Sequence, residues 1–160
     1  MSTVHRAAVV PLRIFLVVLF GILVVFETLS LPGGIAYQTA QNPNDAPLRW
    51  PLTAIAVFWV VCVQVVLVCT WKLLGMVSKD RIFTRAALRW VDVIIGAVAA
   101  GWLVLASIAI WVVLQADDPG MPMVLFLLTV GVAVFGLLLV VMRALLQQAT
   151  TLRSDLEAVI

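Results

Sequence analysis

The sequence predicts an all-α integral membrane protein: a four-helix bundle with both termini in the cytoplasm and a cytoplasmic helical extension at the C-terminus. Three observations carry this. The 160 residues are 64% hydrophobic and only 11% charged, whereas a soluble domain is about half apolar and about a quarter charged. The apolar residues fall in continuous runs of about 20, the length that crosses a hydrocarbon core as a helix, and not in the short alternating segments of a barrel. Nine of the ten Lys/Arg residues gather on one side of those runs.

The first helix is expected over about residues 11–30. Its core, Ile14 to Phe26, is unbroken apolar, and Pro11 is acceptable in a first turn. A cleaved signal peptide ending near Gly34-Ile35-Ala36 is the rival reading; Glu27 and the long apolar core favour retention. Leu31 to Trp50 contains Pro32, Gly33, Gly34, Asn42, Pro43, Asn44, Asp45 and Pro47, which reads as a long loop. Such a loop is either a binding element or plain connecting chain. A second helix is expected over about residues 52–74, with Gly75 as its stop.

Lys72 to Asp92 is the basic joint, holding Lys72, Lys79, Arg81, Arg85 and Arg89. The third helix is expected over about residues 85–115, capped by Thr84, with Phe83 packing on Leu88 as a hydrophobic staple. Asp117-Asp118-Pro119-Gly120 reads as a tight turn. A fourth helix is expected over about residues 122–157, because no Gly or Pro follows Gly136. Its continuation past Arg143 keeps an apolar stripe at Leu145, Ala149, Leu152, Leu156 and Val159, spaced as one helix face. Gln147, Gln148, Thr151, Arg153, Ser154 and Glu157 form the polar face.

Orientation follows from charge. Arg6 and Arg13, the five cations of the joint, and Arg143 and Arg153 lie on one side, with Arg49 alone on the other. The positive-inside rule makes the first side cytoplasmic. Trp50 and Trp71, and again Trp90 and Trp111, stand 21 residues apart, about 31 Å of helix, which matches a hydrocarbon core of about 30 Å. These pairs read as interfacial belts, and Trp59 and Trp102 then lie inside the bilayer.

Polar groups at depth are few, so each is a candidate. Glu27 is expected about 7 Å below the outer surface, where Arg49 can reach it. The pair is either a structural tie or part of a ligand or proton site. Gln64 is expected deeper, as interhelical glue against small residues. Arg89 is the expected partner of Asp92, one turn away. Gly96, Ala97, Ala100 and Gly101 form small-xxx-small pairs that place the third helix centrally. Cys62 and Cys69 are about 10 Å apart along a helix, too far for a disulfide.

The sequence offers little for catalysis. His5 is the single histidine, and there is no nucleophile elbow, phosphate loop or HExxH motif. No Cys/His cluster suits zinc, no cofactor is implied, and no basic-aromatic patch suggests direct nucleic-acid binding. The chain is expected not to be an enzyme.

The four-helix layout, the central DRIFTRAALRW with Ile82-Phe83-Thr84 opening the third helix, and the terminal MRALLQQATTLRSDLEAVI resemble the bacterial domain of unknown function 2975 family. The ending Glu157-Ala158-Val159-Ile160 departs from that family's usual acidic close. The resemblance implies a multi-pass protein of the bacterial plasma membrane. It also implies association with a small cytoplasmic helix-turn-helix regulator.

Two functions stand at this point. In the first, the protein is a non-enzymatic membrane anchor or regulator that meets a cytoplasmic partner, or a second copy of itself, through Arg81, Phe83, Arg85, Leu152 and Leu156. In the second, it is a small-molecule or lipid-binding, transport-like protein in which Glu27, Arg49 and Gln64 line a cavity. A polar cavity around Glu27 would favour the second, and an exposed apolar stripe on the extension the first.

Overall fold

The computed structural model describes residues 3–41, 47, 49–78, 84–116 and 118–159. Over them the regular structure is helical: α1 (Thr3–Val25), a π-helical turn (Phe26–Ser30), α2 (Leu31–Gln41), α3 (Arg49–Val77), α4 (Arg85–Gln115) and α5 (Gly120–Val159). Among the described residues four segments are long and apolar enough to cross a membrane: Val9–Tyr37, Arg49–Val77, Arg85–Gln115 and Gly120–Leu156. A helix suits this composition because it satisfies every interior backbone group within the segment, which lipid cannot do.

The first of these segments corrects the sequence reading. Leu31 onward is not a loop: the chain stays helical through Pro32, Gly33 and Gly34 as far as Gln41. Proline lacks an N–H, and its ring crowds the carbonyl four residues earlier. The π turn meets this locally. The Leu31 N–H donates to the Phe26 carbonyl, one residue further back than in an α-helix. The Thr28 hydroxyl donates to the Val24 carbonyl at 2.9 Å. In hydrocarbon, a break would expose backbone groups to lipid, so Pro and Gly are accommodated inside the helix instead.

The other boundaries shift less. α3 runs past Gly75 to Val77, again because glycine is a weak stop where lipid leaves the backbone no alternative partner. α4 covers the expected residues. Thr84 sits extended at its N-cap, where its carbonyl accepts from the Ala87 N–H at 3.0 Å, but its side chain makes no capping hydrogen bond. Phe83 lies outside the described residues, as do residues 42–46 of the expected loop and Asp117 of the expected turn. α5 is a single helix of 40 residues, about 60 Å long and twice a hydrocarbon core. Its continuation past Arg143 is therefore helical, as the missing breaker predicts.

The chain divides into two compact units, residues 1–71 and 72–160. In the second, α4 packs along α5. Trp102 Nε1–H donates to the Thr129 carbonyl at 3.0 Å, which satisfies the indole inside the span. The close approach of the two helices falls at Gly136, where a Cβ would meet Val98 Cγ1 at 3.6 Å, while a Cβ on Gly96 would meet nothing within 4 Å. Buried apolar residues among those described are Leu16, Cys69, Ala87, Leu105 and Ala109, three of them on α4. Cys62 and Cys69 are free thiols.

Candidate functional site

Glu27 lies in the π turn, and that turn sets its depth. Because the apolar segment runs on to Tyr37, Glu27 stands ten residues from its end, about 15 Å in from that end along the axis. Gln64 lies near the middle of α3, 15 residues from Arg49 and 13 from Val77. The two half-buried side chains meet in the first unit: Gln64 Nε2–H donates to Glu27 Oε2 at 2.8 Å. A polar side chain within a span needs such a partner, because lipid supplies none.

The expected Glu27–Arg49 tie is not the contact the structure forms. The Arg49 guanidinium lies 5.9 Å from the centre of the Trp50 ring, a cation–π distance at the start of α3. The reason is depth: with the helix extended through Pro32, Glu27 sits too far from the α3 N-terminus and level with Gln64. Arg13 lies 5.6 Å from the centre of the Trp71 ring, so the cation of the first helix and the second tryptophan of α3 share one end of this unit. Near them Leu16, Val17, Phe20, Leu67, Val68 and Trp71 line an open apolar groove of about 180 Å³.

The second unit holds another polar cluster. Asp92 of α4 receives two hydrogen bonds from Arg143 of α5, from Nε–H to Oδ1 and from an Nη2–H to Oδ2 at 3.2 Å. Arg143 also donates from Nη1 to Gln147 Oε1 at 3.1 Å, one turn along α5. The expected Asp92–Arg89 pair is replaced by this fork. A planar guanidinium on a facing helix can meet both carboxylate oxygens at once, whereas Arg89, three residues earlier on the same helix, is exposed. The fork fixes the register of α5 on α4 just where α5 begins its extension.

Of the expected partner-facing residues, Arg81 and Phe83 lie outside the described residues and Arg85 opens α4, exposed. Leu152 and Leu156 are 64% and 68% exposed. Among the described residues no three His, Cys, Asp or Glu side chains are grouped to hold a metal ion. The chemistry on view is a hydrogen-bonded polar pair in the first unit and an ion-paired fork in the second, with exposed apolar side chains on the α5 extension.

The family described as protein of unknown function, DUF2975, matches residues 33–160. The chain belongs to that family. The match covers α3, α4 and α5 whole and begins within α2, so in this DUF2975 protein Glu27 and the π turn lie before the matched region. No curated protein and no solved structure matches the chain.

Proposed function

We propose that this DUF2975 protein is a non-enzymatic regulator or anchor of the bacterial plasma membrane that engages a cytoplasmic regulatory protein. The observation that carries the reading is the second half of α5. It continues past Arg143 without a break, and from Thr151 onward every described side chain is exposed, including Leu152, Leu156 and Val159. Apolar side chains held on a rigid helix outside a span are a docking face for another helix or groove. The cytoplasmic placement of this extension and of both termini rests on the Lys/Arg bias. The two polar ends of the units agree with it. Arg13 meets Trp71, and Arg143 meets Asp92, so groups assigned separately to the inner side are neighbours.

Crosslinking followed by affinity capture of the full chain from native membranes tests this. A defined cytoplasmic protein should be recovered with the wild type and lost when Arg81 and Arg85 are both changed to Glu. Recovery of only membrane-resident proteins would overturn the regulator reading.

The Glu27–Gln64 pair favours a second reading, a small-molecule or lipid-binding, transport-like protein. A carboxyl group paired, among the described residues, with a neutral amide inside a span is the kind of group that marks a substrate or ion path. On this reading Glu27→Gln abolishes ligand binding or transport while the fold is retained.

A further inference from the structure

We infer that the apolar stripe of the α5 extension pairs with the same stripe of a second copy of this chain, as a parallel two-stranded coiled coil continuous with the membrane helix. The inference deepens the regulator reading and rests on its placing of α5 beyond Arg143 outside the bilayer. It names what covers the stripe before any cytoplasmic protein arrives.

The period is the first argument. Met142, Leu145, Ala149, Leu152, Leu156 and Val159 follow one another in steps of three and four, the 3.5-residue repeat that keeps a seam facing a partner helix. Beyond Met142 the large exposed hydrophobic residues among those described are Leu145, Leu152, Leu156 and Val159, at 60, 64, 68 and 87% exposure. All four lie on this seam. The same register runs back through the span as Leu138, Phe135, Gly131, Leu128, Val124 and Met121, all of them exposed, as are Leu127 and Leu137 on neighbouring faces of the span. The face used against α4 is a different one, marked by Thr129, Gly136 and Arg143.

Orientation and charge select the partner. A soluble protein can reach the extension but not the stripe's continuation inside the bilayer. A second copy inserted the same way presents an α5 that is parallel, equally long and in register along both parts. In that register the seam is flanked by Leu146, Gln148, Arg153 and Asp155. Parallel pairing sets Gln148 of one copy beside Arg153 of the other, so no like charges oppose there.

Area is sufficient. Each of the four large side chains removes on the order of 100 Å² from water when buried. The two extensions therefore approach about 800 Å², and the aligned faces within the spans carry the total past the roughly 1,000 Å² of a specific interface. The extension also needs this support, since a free helix of that length is marginal in water.

The test is disulfide crosslinking of the full chain in native membranes, with Cys62 and Cys69 changed to Ala. Leu145→Cys and Leu152→Cys on the seam should give several-fold more crosslinked dimer than Thr151→Cys and Ser154→Cys on the opposite face. Equal yields at the four positions, or none at 145 and 152, overturn the inference. Energy transfer between donor- and acceptor-labelled copies of the otherwise native chain in vesicles gives a second measurement. It should be present in the wild type and lost in Leu152→Glu with Leu156→Glu, and its absence in the wild type overturns the inference. A single-copy protein that still captures its cytoplasmic partner through the extension overturns the pairing and leaves the regulator reading standing. A dimer that captures no such partner does the reverse.

Discussion

Removing the amide of Gln64 tests the central polar contact of the first unit. In Gln64→Leu the Glu27 carboxyl keeps its place in the span but loses the donor that lies 2.8 Å from Oε2. A hydrogen bond between membrane helices is worth about 0.6 kcal/mol on average and up to about 1.7 kcal/mol. Leaving the surviving polar group without a partner costs a further ~1 kcal/mol or more. Gln64→Leu should therefore destabilise the protein by about 1–2 kcal/mol, and for a chain of this size that is a fall in Tm of roughly 2–8 °C. Glu27→Leu deletes the same bond but also removes the more demanding polar group, so it should cost less. The double variant Glu27→Leu with Gln64→Leu should be close to the wild type, because two apolar partners of similar shape can replace a hydrogen-bonded pair at little cost.

The assay is reversible unfolding in mixed micelles, run as a double-mutant cycle. The signature is a coupling of about 1–2 kcal/mol or more between positions 27 and 64, well above the ~0.3–0.5 kcal/mol scatter of independent sites. The matching cycle between Glu27→Gln and Arg49→Leu should be additive, since Arg49 lies over Trp50 instead. Additive effects at 27 and 64, or coupling at 27 and 49, would refute the assignment of depth on which the site rests.

Exchanging the charges of the second unit, Asp92→Arg with Arg143→Asp, should restore the α4–α5 register that either single change loosens, as read by disulfide trapping between positions 98 and 136. Pro32→Ala returns an N–H to the helix and removes the need for the π turn. It should turn Glu27 away from Gln64 and abolish the 27–64 coupling while leaving the protein folded. A single cysteine at position 42 should react with an impermeant reagent from outside intact cells; reaction only after the cytoplasmic side is opened would reverse the topology.

The long elements were legible because lipid leaves the backbone one choice. Arg85–Gln115 falls where the apolar run and the turn residues place it, and α5 ends within two residues of the expected position. The first span runs on through Pro32-Gly33-Gly34, because turn chemistry that holds in water does not hold where lipid offers a broken backbone no partner. The helix absorbs these residues with one π turn, a device that no residue pattern announces. The Trp102–Thr129 bond was invisible for another reason: its acceptor is a backbone carbonyl, and the sequence gives the indole no preferred target.

The misplaced partners follow from that one boundary and from a limit of single-helix reasoning. With the helix ended at Pro32, Glu27 lies near the surface and Arg49 is the natural counter-charge. With it continued to Gln41, Glu27 drops to the level of Gln64. A handful of residues at 1.5 Å each is trivial for drawing an element but decides which side chain can be reached. Asp92 shows the second limit. Spacing along α4 offers Arg89, and only the docking of α5 brings Arg143 into the fork. Sequence period says which residues share a face. Which face meets which neighbour is fixed by packing across helices, and so the exposure of Leu145, Leu152, Leu156 and Val159 beyond Arg143 is where the structure adds most to what the sequence could say.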